Sequence, residues 1–131
     1  MLEITKVYKM LNWKNSREVI LEGMRLAEKI DDLSLLIMPP AEPSVWENTA
    51  IILSRKSDEE LVEYLPKLFE WLCDTNWPGA MTIYNRLLSV PREMLMTPYN
   101  KALQESRNTH DQLWEEILID FMKDYENKHK I

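Results

Sequence analysis

Only two glycines, Gly23 and Gly79, occur along 131 residues, and that scarcity narrows the choice of fold more than any other feature. Hairpin turns and bulges use glycine for backbone angles that other residues avoid. A chain this poor in glycine favours helices joined by polar and proline corners. Its length suits one domain, able to bury about two-thirds of its unfolded surface without staples. A hydrophobic fraction of 45% supplies the core for this. The expectation is a single all-helical domain spanning residues 1–131.

Apolar spacing supports helices throughout. Ile4, Val7, Tyr8 and Leu11 fall on one face of a first helix. Asn15 to Glu18 reads as a capping box opening a second, whose stripe is Ile20, Met24, Ala27 and Ile30. Leu33 to Met38 predicts a short buried helix closed by Pro39 and Pro40, and the three prolines of segment 39–44 mark an irregular connection. From Val45 to Lys56 the spacing predicts another helix, with Glu47, Asn48 and Arg55 outward. Ser57-Asp58-Glu59-Glu60 is the strongest helix start in the chain. Leu61, Leu65, Leu68 and Leu72 follow as one stripe, widened by Val62 and Phe69. Pro66 lies inside that run and cannot donate to the Val62 carbonyl, so a kink or break is expected near Tyr64-Leu65.

The stretch Leu65–Ala80, LPKLFEWLCDTNWPGA, then turns a corner at Asp74-Thr75-Asn76. A helix starting on Trp77-Pro78 is expected to bury Met81, Tyr84, Leu87 and Leu88. Residues 91–96 and 98–106 read as one helical stretch interrupted by proline. Thr109 to Gln112 reads as a second capping box, opening a last helix with Trp114, Ile117, Leu118, Phe121 and Tyr125 inward. Asn127–Ile131 is expected to fray.

Trp13, Trp46, Trp77 and Trp114 stand near predicted helix starts, 33, 31 and 37 residues apart. Helix-pair repeats have periods of about 34 to 47 residues, since one pair cannot bury its own face. The run Leu65-Pro66-x-Leu68-Phe69-x-x-Leu72-x-Asp74 resembles a HEAT-type repeat, with a kinking proline and a corner aspartate. Trp77-Pro78-Gly79 replaces the usual Val-Arg pair of that repeat. The longer string from Trp46 to Leu87 is similar to a bacterial family of small all-helical proteins, catalogued as a domain of unknown function, whose hallmark is an EWLxDxNWPxA corner. This resemblance implies a compact HEAT-like α-α superhelix. It brings no catalytic residue.

The residue types that carry chemistry are sparse. Cys73 is the lone cysteine, so no intramolecular disulfide forms, and it reads as a small buried hydrophobe. His110 beside Asp111 reads as exposed next to a cap, and His129 as part of a mobile Lys-His-Lys tail. No metal, cofactor or phosphate-loop motif occurs. Two acidic clusters, Asp58-Glu59-Glu60-Glu63 and Glu115-Glu116-Asp120-Asp124, face away from apolar stripes and read as solvated. They also define an alternative, a hydrolase using a carboxylate cluster in a groove.

Net charge is −6, but residues 1–30 carry +2 and the remainder −8. No basic run suits a nucleic-acid backbone, and no apolar stretch suits a membrane span, so neither partner is expected. A reduced, cytoplasmic setting is the default expectation. The reading favoured by the residues is a non-enzymatic interaction module for a protein or peptide partner, with an immunity- or antitoxin-like role against a basic toxin as its specific form. Trp71 falls off the leucine stripe and is the candidate partner-binding residue; Trp77 is expected to pack. Oligomeric state is not legible.

Overall fold

A computed structural model describes residues 3–130, and among them every regular element is helical. The α-helices are α1 (Ile4–Met10), α2 (Arg17–Ala27), α3 (Trp46–Ser54), α4 (Asp58–Leu61), α5 (Leu65–Glu70), α6 (Ala80–Leu87), α7 (Arg92–Asn108) and α8 (Gln112–Lys128). Short 3-10 turns cover Leu33–Leu36, Pro43–Val45, Val62–Tyr64 and Trp71–Cys73. None of these helices is long and apolar enough to cross a membrane.

Packing proceeds along the chain. α1 lies on α2, α2 on α3, and α3 on α6, while α5 packs on α7 and α7 on α8. Gly23 makes the first contact close: a Cβ there would stand 2.8 Å from the Met10 Cβ. The leucine stripe is fully buried as expected, and Pro66 acts as anticipated. The chain tightens into the 3-10 turn Val62–Tyr64, so the Leu65 N–H takes the Val62 carbonyl that proline leaves free. Ser57 and Glu60 complete a reciprocal capping box at 3.1 Å.

In the C-terminal half the core is aromatic. Phe121 of α8 meets Phe69 at 5.6 Å and Tyr84 at 5.2 Å edge-on, and stacks on Tyr99 at 6.1 Å. Three of the buried rings donate from their polar tips to backbone carbonyls elsewhere. Tyr99 Oη reaches Leu118 O at 2.8 Å, Tyr125 Oη reaches Val90 O at 2.6 Å, and Trp114 Nε1 reaches Phe69 O at 3.0 Å. Each ring thereby buries a large apolar area without stranding its donor.

Several local expectations are corrected. Ser16, not Asn15, caps α2; the Asn15 amide instead donates to the Lys9 and Met10 carbonyls at the end of α1. Asn48 turns inward, its amide donating to Leu11 O at 2.7 Å, because a buried carbonyl at the end of α1 needs a donor. Val62 is exposed, since the 3-10 turn rotates it off the stripe. Leu33–Met38 yields only the 3-10 turn Leu33–Leu36. α7 runs unbroken through Pro98, held on both sides by the buried Leu95, Tyr99 and Ala102. Asp111, not Thr109, caps α8, its side chain accepting from Trp114 N. His110 instead ends α7 at φ 56°, in the left-handed position, with its N–H on Arg107 O and the Asp111 N–H on Ser106 O.

Residue 131 of the expected frayed tail lies outside the described residues, and the rest does not fray. α8 continues to Lys128, the His129 ring stacks on Tyr125 at 4.1 Å, and its Nε2 lies 2.7 Å from Leu88 O.

Candidate functional site

The corner between α5 and α6 is built from backbone bonds. Asp74 Oδ1 accepts from Asn76 N at 2.8 Å, and its carbonyl accepts from Trp77 N at 3.0 Å. Trp77 O in turn accepts from Ala80 N at 3.1 Å. α6 therefore starts at Ala80, three residues later than Trp77-Pro78 suggests, and Gly79 is its N-cap at φ 82°. A side chain could not stand there: a Cβ would come within 2.8 Å of both Trp46 O and Trp71 Cζ2. The register moves with the start. Ala80, Ile83, Tyr84 and Leu87 face inward, and Met81 is 48% exposed.

Three indoles are arranged across this corner. Trp46 sits edge-on to both Trp71 and Trp77, at 6.1 Å and 85° in each case. Trp71 is at the inner end, fully buried, its Nε1 donating to Pro78 O at 3.0 Å. Trp46 Nε1 donates to Pro39 O at 3.0 Å. Trp77 is at the outer end, 39% exposed, and its indole N–H has no partner among the described residues. The expectations for the two corner tryptophans are thus exchanged. The leucine stripe continues into the 3-10 turn Trp71–Cys73, whose tighter pitch swings Trp71 under the corner, where it presents no surface to a partner. Trp77, expected to pack, carries the exposed ring because the turn holding it projects before α6 begins.

The acidic clusters separate. Glu60 is spent on the Ser57 cap, and Asp58 pairs with Arg86 at 2.7 Å. Arg86 also donates to Lys56 O at 2.9 Å, tying the start of α4 to α6. On α8, Asp120 and Asp124 border a shallow groove with Tyr84, Met81 and Thr75. The Tyr84 hydroxyl donates to the Asp124 carboxylate. Burial, reinforced by that carboxylate, pushes the Tyr84 phenol well above its ordinary range. Cys73 is half-buried, and burial beside Asp111 and Glu70 raises its thiol to about 11, far from a reactive thiolate. His110 is exposed, as expected. Among the described residues, no His, Cys, Asp and Glu side chains gather as a metal ligand set.

A second concavity lies away from the corner. It is a groove of about 570 Å³ between α1 and the proline-rich segment before α3. Its sides come from three separated stretches, 4–15, 34–35 and 40–45, and no spacing within one element announces it.

Residues 47–130 match the family described as a domain of unknown function (DUF5071), and the chain belongs to that family. The matched segment holds the α5–α6 corner with Trp71 and Trp77 but begins one residue after Trp46; the groove lies upstream of it. No curated protein and no solved structure matches the chain.

Proposed function

We propose that this DUF5071 protein is a non-enzymatic interaction module, a short HEAT-like stack of helix pairs whose corner face engages a protein partner. One observation carries the reading. Trp77 is 39% exposed with its ring edge-on to Trp46, and exposed Met81 follows in the first turn of α6. A preorganised indole loses little freedom on binding and contributes a large apolar area, which is why tryptophan dominates interface hot spots. The partner presents a basic face, because residues 31–131 carry −8 and the groove beside Met81 is bordered by Asp120 and Asp124 against the single cation Lys123. Masking of a basic toxin, an immunity-like role in a reducing cytoplasm, is the specific form of this proposal.

Affinity capture with the full chain, compared with Trp77→Ala, tests it. The expected result is a partner retained by the wild type, released by salt, and weakened at least about tenfold by the substitution. Retention unchanged in Trp77→Ala removes the corner from the proposal; absence of any specific partner removes the interaction role.

The hydrolase alternative rests on Asp120 and Asp124, one helical turn apart at the groove with Tyr84. It requires a hydrolytic activity in the purified chain that Asp124→Asn abolishes.

A further inference from the structure

The groove on α1 is polarised along its length. From the start of α1 the lining takes Ile4 and Tyr8, and from the other two stretches it takes the apolar Leu35, Ala41 and Val45. The Tyr8 hydroxyl donates to Leu35 O at 2.6 Å, which ties the two walls together and commits its proton. Leu35 is 37% exposed, a large apolar side chain in the groove lining.

At the other end the lining becomes polar and cationic. Lys9 and Lys14 both border the groove, and neither forms an ion pair among the described residues. The carbonyls that terminate α1 would offset their charge, but the Asn15 amide already occupies those of Lys9 and Met10, at 2.6 and 3.1 Å. Glu42 is the only acid in the lining, and one of its carboxylate oxygens is taken up by the Asn12 amide at 3.0 Å and the Ser44 hydroxyl at 3.3 Å. The polar end therefore holds two ammonium groups against one engaged carboxylate. It is a cationic end on a chain whose overall charge is −6.

A volume of about 570 Å³ lies within the size range of small-molecule sites, which are mostly apolar with a few placed polar groups. A ligand complementary to both ends has an aliphatic body and an anionic head. We infer that this groove binds a small aliphatic carboxylate, its chain along Ile4, Leu35 and Ala41 and its head group at Lys9 and Lys14. The site lies outside the family-matched segment and does not depend on the corner face. The basic partner proposed for that face would be repelled here, so the two sites bind ligands of opposite charge.

Sodium octanoate titrated into the isotopically labelled full chain at constant ionic strength is the test, read by amide chemical shifts. The expected result is saturable binding with a Kd in the millimolar range or below, which is the affinity that about ten non-hydrogen atoms support. The shifts should concentrate at residues 4–15, 34–35 and 40–45. Acetate, lacking the chain, and octanol, lacking the charge, should each bind at least about tenfold more weakly. Lys9→Gln with Lys14→Gln should weaken octanoate about tenfold, and Glu42→Gln should tighten it about threefold. Both lysines are exposed, so the double variant keeps its fold, which thermal unfolding checks.

Octanol binding as tightly as octanoate, or shifts lying elsewhere, would overturn the assignment. So would groove shifts that depend on protein concentration without ligand, which would show a second copy filling the site. Loss of octanoate binding leaves capture at Trp77 unaffected, and the converse also holds, so failure of either proposal is read separately.

Discussion

Of the three described residues with positive φ, Gly79 and His110 sit where one helix gives way to the next, and only one of the two is glycine. Gly79, at φ 82° and pressed against Trp46 O and Trp71 Cζ2, has no room for a side chain. Gly79→Ala is expected to destabilise the protein by more than about 2 kcal/mol, combining left-handed strain with overpacking. Its unfolding midpoint in urea measures this. His110 is the opposite case, at φ 56° in a helix-ending position that glycine fills more easily. His110→Gly should raise stability by up to about 1 kcal/mol, the released strain being partly offset by a freer unfolded chain. A lower midpoint would mean that the imidazole contributes a contact of its own. Trp71→Phe belongs with these. It keeps most of the buried area but strands Pro78 O, and a loss of about 1 to 3 kcal/mol is expected in the same assay.

At the scale of elements, prolines in similar sequence settings have different outcomes. Pro66 breaks α4 from α5 because the intervening turn can tighten to 3-10 and bond the freed carbonyl. Pro98 leaves α7 unbroken because both α5 and α8 pack against that helix. The missing hydrogen bond costs about 3 kcal/mol, less than unpacking Leu95, Tyr99 and Ala102 would, at about 1.5 to 3 kcal/mol per large side chain. Pro98→Ala is therefore expected to stabilise the protein by about 1 to 2 kcal/mol, while Pro66→Ala changes stability by less. Thermal and urea unfolding of the two variants side by side provide the comparison. The difference was not legible in the sequence, where each proline simply interrupts an apolar stripe.

Across the whole molecule, burial of ionisable phenols and a thiol sets an alkaline limit. Tyr8, Tyr84, Tyr99 and Tyr125 are all held above the ordinary value of 10.0, chiefly by burial, and Cys73 is raised from 9.0 to about 11. Raised groups of this kind stabilise the fold fully below their unfolded values. That contribution is lost as pH climbs, because the unfolded chain releases the protons first. Urea midpoints should hold up to about pH 9 and fall steadily toward pH 11; a flat profile over that window would contradict the burial of these rings. The same burial separates what was legible from what was not. Periodicity, proline and capping residues determined that the chain is helical, where Leu61, Leu65, Leu68 and Leu72 point, and that the chain turns at Asp74, because each of these depends on neighbours within a turn or two. Which indole is buried was decided only when α3 came to lie on α6, placing Trp46 between Trp71 and Trp77. The groove depends on contacts of similar range, since its walls meet only after residues 4–15 and 34–45 have packed together. Local spacing carries no information about such encounters, and it was tertiary packing that left Trp77 the outermost of the three corner indoles and brought Lys9 and Lys14 to one groove.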